Sequence, residues 1–118
     1  LKILEIKGRK VEIKNFFDRI IKFNFDELCN KNLGSEDYIT IANNCDFLFI
    51  QDLPNFNENN SNQQQRFITL MDILYEKNIP LMITSNINLK SINSSNSLSE
   101  PFKRTISRLY ELSSINYN

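Results

Sequence analysis

Two apolar runs, "DFLFIQD" at 46–52 and "IPLMITSN" at 79–86, flank a single amphipathic stretch, and little else in the chain narrows its fold as much. Each run is near-continuously apolar and ends in polar residues, the pattern of a strand covered on both faces. Pro80 opens the second run, where a missing N–H costs least. Between them, apolar residues fall at 67, 68, 70, 71, 74 and 75, while Arg66, Thr69, Asp72 and Glu76 form the opposite stripe. That spacing predicts a helix from about Ser61 to Asn78. Strand 46–51, helix 61–78 and strand 80–85 then make a parallel βαβ unit with a right-handed crossover. The Asn/Gln-rich "LPNFNENNSNQQQ" before the helix lacks periodicity and predicts a loop, mobile over 55–63.

The N-terminal "LKILEIKGRKVEIKN" alternates apolar and polar residues on both sides of Gly8-Arg9, with Ile3 and Ile6 before the turn and Val11 and Ile13 after it, and predicts a β-hairpin with one face buried. A third extended run follows at Ile20–Phe25, then a short helix across "DELCN". Ser35, followed by Glu36 and Asp37, is the expected N-cap of a helix reaching about Asn43. Pro101 sits in the first turn of a last helix that turns Phe102, Ile106 and Leu109 to the core and Arg104, Arg108 and Glu111 away from it. With 118 residues, 41% of them hydrophobic, the chain suits one domain with one core. The expected fold is α/β: a mixed sheet with an N-terminal antiparallel hairpin and a C-terminal parallel βαβ unit, helices packed on the sheet.

Lys and Arg together number 14, as do Asp and Glu, so no net field draws in nucleic acid or an acidic membrane. That neutrality also speaks against a single-strand binding groove, despite the aromatic content. No apolar run approaches the ~18 residues of a membrane span. Cys29 and Cys45 are too few for a disulfide scaffold, and without histidine a zinc site is not expected. They read as reduced core cysteines of an intracellular protein, and Cys29 has no base that would make it a nucleophile. Leu1 in place of a starting Met, without a signal-peptide pattern, points to a piece of a longer chain. The only glycines are Gly8 and Gly34. A phosphate loop needs two within one turn and a dinucleotide fingerprint three, so no glycine-built nucleotide cradle exists here.

Candidate chemistry gathers at three places. The strand ends, Asp52 and Thr84–Asn86, stand where parallel sheets hold ligands and echo the metal-holding and γ-phosphate-sensing strands of an ATPase, although any buried strand can end so. Arg104 and Arg108, one turn apart, repel each other unless an anion or solvent relieves them. They could stabilise a transferring phosphate held by another module, or lie on a solvated face with Arg108 paired to Glu111. Arg66 and Asp72 are candidates for a partner or interdomain contact, or for pinning neighbouring elements at the helix edge.

Three stretches, in order, resemble one family. "FDELCNKNLGSEDYITIANNCDFLFIQDLP" is similar to the F-x-x-L-C … L-G-x-x-D-Y … P segment of the ZapE and AFG-one-like ATPases. "QQQRFITLMDILYEKNIPLMITSNINLKSI" resembles their R-R-F-I-x-L-[IV]-D-x-x-Y segment, with Gln65 in place of the first arginine and Arg66 kept. "FKRTISRLYEL" resembles their F-x-R-[TC]-x-S-R-L-x-E-M signature, with Leu112 for Met. Where relatives tend to read Ser-Ala-Glu after the second strand, this chain has Thr84-Ser85-Asn86, so no role of that Glu transfers.

The resemblance implies an AAA+-type P-loop ATPase acting at the bacterial division ring or in mitochondrial inner-membrane protein quality control. It places residues 1–118 as a single C-terminal domain downstream of the phosphate loop and metal-binding strand, so Asp52 and Thr84–Asn86 are not the family's metal and sensor positions. It implies no cofactor in this fragment, ATP and Mg in the parent, and an upstream ATPase domain of the same chain as partner. A homo-oligomer and an unnamed protein partner are compatible with it. Location would be mitochondrial in a eukaryote and cytoplasmic in a bacterium. A protein-interaction domain without nucleotide chemistry is the alternative.

Overall fold

A computed structural model describes residues 2–6, 9–13 and 15–113. In chain order the strands and helices are β1 (Lys2–Ile6), β2 (Arg9–Ile13), β3 (Asn15–Phe17), β4 (Ile20–Asn24), α1 (Phe25–Cys29), α2 (Ser35–Asn43), β5 (Phe47–Gln51), α3 (Ser61–Glu76), β6 (Leu81–Ile83) and α4 (Ser99–Ser113). The central sheet has the order β3-β4-β5-β6. β4, β5 and β6 run parallel, and short β3 lies antiparallel at the β4 edge.

This corrects the expected fold. The N-terminal hairpin is not built into the sheet that carries the helices: β1 pairs antiparallel with β2 in a separate two-stranded sheet, and the body of the main sheet is parallel through three strands. The physical reason lies at Asn24. β4 does not turn back on itself there; Asn24 caps α1, its Oδ1 accepting from the Asp26 amide at 3.0 Å while its own amide donates to Glu27 Oε1 at 2.9 Å. The chain therefore enters helices, and a strand reached through a helical crossover returns parallel. The expected turn at Gly8-Arg9 has its glycine outside the described residues.

Register sets two faces. Ile21, Leu48 and Leu81 share one row and Phe23, Ile50 and Ile83 the next. Of these six, all but the half-buried Ile83 are at most 2% exposed. The other face carries Ile20 and Phe47, then Lys22, Phe49 and Met82. It is only half-covered, unlike the expectation for strands buried on both sides.

Against the buried face, α1, α3 and α4 are joined through Phe25, Phe56, Phe67 and Phe102. Phe25 and Phe67 have ring centroids 6.0 Å apart, and Phe102 meets Phe56 edge-on at 5.4 Å. Tyr38 of α2 is fully buried and donates its hydroxyl to Leu28 O at 2.7 Å. α2 begins at Ser35, but its N-cap is Gly34, whose amide donates to Asp37 Oδ2 at 2.7 Å. Ser35 is thus the first helical residue, not the cap.

The Asn-rich stretch is held by its own side chains. Asn57 Oδ1 accepts from the Asn59 amide at 2.8 Å, and Asn60 Oδ1 from the Asn57 amide at 2.8 Å, around a 3-10 turn at Glu58–Asn60. Asn55 Oδ1 and Glu58 Oε1 reach across to the amides of Asn93 and Asn96, at 2.6 and 2.8 Å. Such contacts oppose the mobility that composition suggests, because short polar side chains satisfy the turn's backbone directly.

Candidate functional site

α4 presents the arginine pair. Thr105 and Leu109 are fully buried and Phe102 is 4% exposed, which fixes the helix's rotation on the core. One flank then meets α3. Arg108 Nη1 donates to Asp72 Oδ1 in a short charge-assisted hydrogen bond, and its guanidinium lies 4.6 Å from the centre of the Tyr75 ring. The two charged side chains are 27% and 40% exposed, so water screens the pair only in part. The Glu111 carboxylate beside Tyr75 is the main cause of its raised pKa; the nearby Arg108 charge opposes the shift.

Arg108 therefore has its anion within the molecule, and it is Asp72, not Glu111. Arg104, one turn earlier, is exposed, and no described residue partners it. The spacing that makes the two arginines look alike hides this difference. Arg66 serves another junction: its Nη1 donates to Cys29 O at 3.1 Å, at the last turn of α1, where a cation suits the free carbonyls. Asp72 and Arg66, singled out together from the sequence, hold different elements.

At the carboxyl ends of the parallel strands, Asp52 adopts φ 63°, with Oδ2 accepting from Asn24 Nδ2 at 2.7 Å and its amide donating to Thr84 Oγ1 at 3.2 Å. Ser85 Oγ donates to Leu53 O at 2.6 Å and accepts from the Ile87 amide at 3.1 Å. The carboxylates here, Asp52 and Glu27, both accept from Asn24. Tied into loop hydrogen bonds and without a glycine cradle, these residues do not fit a magnesium–nucleotide complex. Among the described residues no three His, Cys, Asp or Glu side chains gather as a metal site.

Cys29 and Cys45 are buried and free. Burial pushes the Cys29 thiol up to about 12, against a smaller downward pull from the neighbouring Tyr38 hydroxyl, and burial pushes Cys45 up to about 11. Neither is a thiolate at neutral pH, so neither is a nucleophile. Sequence reading missed Gln64 and Tyr75 altogether. Gln64 looks like one of three equivalent glutamines, yet it alone is fully buried, with Nε2 donating to Ser94 Oγ at 2.6 Å and Oε1 accepting from the Ser95 amide at 3.1 Å.

A family model described as AFG1-like ATPase matches residues 1–118. The chain belongs to the AFG1-like ATPase family. Among curated relatives, the Cell division protein ZapE of Escherichia coli strain K12 is 27% identical over 114 residues, covering 97% of this chain and 30% of that protein. Lactation elevated protein 1 homolog B of Danio rerio is 30% identical over 88 residues, 75% of this chain and 18% of that protein. An uncharacterized protein of Schizosaccharomyces pombe is 26% identical over 89 residues, 75% of this chain and 20% of it. The chain thus spans under a third of these AFG1-like relatives. No solved structure matches. Among the described residues no helix is long and apolar enough to cross a membrane.

Proposed function

We propose that this chain is the C-terminal, non-hydrolysing module of an ATP-hydrolysing AFG1-like protein and couples its nucleotide state to a protein partner. ATP and Mg are held by the upstream ATPase domain of the same polypeptide. Family membership supports this, as does the absence of any glycine-built cradle among its own residues. The observation that carries it is the contrast between the two arginines: Arg108 clamps α4 to α3, and the helix so fixed holds Arg104 outward without a partner among the described residues. A guanidinium presented on a rigid element suits developing phosphate charge, because little is lost in ordering it. Arg66 and Asp72 then act behind the surface, holding α1 and α4 for contact with the rest of the protein. A homo-oligomer would bring the Arg104 of one copy to the nucleotide of the next. Cell division, the process in the name of the Escherichia coli relative, is one setting for such coupling, and mitochondrial protein quality control is the other that this reading admits.

The test is ATP turnover by the full-length protein carrying Arg104→Ala, with nucleotide binding measured separately. Turnover falls about a hundredfold or more with binding retained, a loss of ~3 kcal/mol in transition-state stabilisation. If turnover is unchanged while capture of a protein partner is lost, Arg104 meets a partner carboxylate and the module is an adaptor.

A further inference from the structure

The sheet face turned away from the helices is mainly apolar and only half-covered. The strand order β4-β5-β6 follows the chain, so right-handed crossovers lay α1, α2 and α3 on one side. The contact of Phe25 on α1 with Phe67 on α3 shows that they share it. On the opposite side, cross-strand partners Phe17, Ile20 and Phe47 form one row, and Lys22, Phe49 and Met82 form the next. Phe17 is 78% exposed, Ile20 47% and Met82 38%. Parallel strands are found almost only in sheets covered on both faces.

We infer that this face seats an amphipathic helix from the polypeptide outside these 118 residues, its apolar stripe crossing β4, β5 and β6 and a carboxylate meeting Lys22. Three observations select that occupant. A sheet face is buried most simply by a helix. Lys22 stands in the second row with its Nζ 5.9 Å from the Phe49 ring centre, and no described carboxylate meets it, so among the described residues it places one positive charge on this face. The matched residues cover only 18–30% of its relatives' length, leaving most of such a polypeptide to supply the helix. A second copy fits less well: strands of three to five residues make a face on the order of 300 Å², against the roughly 800 Å² per partner of a stable pair. The inference rests on the reading of this chain as one module of a longer protein, but not on any role of Arg104.

Maleimide labelling of single-cysteine probes in the full-length protein tests it, since Cys29 and Cys45 are buried and poorly ionised. Phe17→Cys and Met82→Cys react at least roughly tenfold more slowly than Lys31→Cys and Lys77→Cys, exposed sites away from this face. Adding Lys22→Glu to Met82→Cys restores fast labelling, while Lys22→Arg leaves it slow. The fast control sites and an unchanged circular dichroism spectrum show that the fold is kept. Equal rates at all four sites overturn the proposal, and so does protection of Met82→Cys that appears only as protein concentration rises, since a second copy then covers the face. The readout needs no ATP, so its failure leaves the Arg104 turnover test standing, and the reverse also holds.

Discussion

Arg108 carries its charge into a contact between two helices, and the energy of that contact can be bounded. The pair with Asp72 is part-exposed, which puts it above the few tenths of a kcal/mol of a free surface pair and below a buried one. Stacking on Tyr75 adds to it. Arg108→Ala is expected to destabilise the chain by ~1–2 kcal/mol. In a double-mutant cycle with Asp72→Ala, urea unfolding returns a coupling energy of about 1 kcal/mol. Arg104→Ala, at the same spacing on the same helix, leaves stability unchanged within ~0.5 kcal/mol. The two thiols give a second residue-scale expectation. Their folded pKa values, about 12 and about 11, lie above the unfolded value of 9.0. Above pH 9 the unfolded chain loses these protons first, so the folded state binds more and stability falls as pH rises. The slope is about 1.4 kcal/mol per pH unit for each thiol. Tyr38, raised chiefly by burial, pulls the same way at higher pH. Urea midpoints measured up to about pH 10.5 should fall in the native chain and flatten in Cys29→Ala/Cys45→Ala; parallel curves would refute the assignment.

Between elements, polar side chains do work that apolar patterning conceals. Gln64 joins the first turns of α3 to the segment at 94–95, and its loss would strand the buried Ser95 amide. Gln64→Leu should therefore cost ~2 kcal/mol or more by urea unfolding, while Gln65→Leu, on the exposed side of the same helix, costs almost nothing. This contrast marks the limit of what the sequence reveals. The βαβ unit was legible because hydrophobic periodicity reports which side of an element is buried: β5, α3 and β6 fall within the spans read from it. The placement of the hairpin was not legible, because alternation in "LKILEIKGRKVEIKN" predicts pairing and says nothing of which sheet receives it. The hydrogen bonds of the Asn-rich turn were not legible for a related reason. Composition reports side-chain polarity, whereas the contacts here come from Asn55 and Glu58 accepting from amides 38 residues away. At the candidate site the arginines were legible as a pair but not as unequal members of one, since Asp72 and Tyr75 become neighbours of Arg108 only after α3 and α4 pack.

For the molecule as a whole, the direction of strand order decides more than any single residue. Consecutive parallel strands joined by right-handed crossovers put all their helices on one side, so a short chain of this topology keeps a dry face and a wet one. The wet face here holds Phe17, Ile20 and Met82, whose exposure runs against the alternation expected of a sheet that meets water. An amphipathic dye that responds to exposed apolar surface should then bind the native 118-residue chain before any denaturant is added, without the loss of near-UV dichroism that marks a molten state. Phe17→Ser/Met82→Ser should lower that binding several-fold and leave the urea midpoint within ~0.5 kcal/mol of the parent, because side chains already in water contribute little to folding. Removing an equally large residue from the dry face has the opposite signature. Leu48→Ala, at the centre of the buried row, should cost ~2–5 kcal/mol and raise dye binding only as the fold loosens. If the wet-face pair instead proves as costly as Leu48→Ala, some element of this chain packs on that side, and the face is core and no surface for a helix from elsewhere.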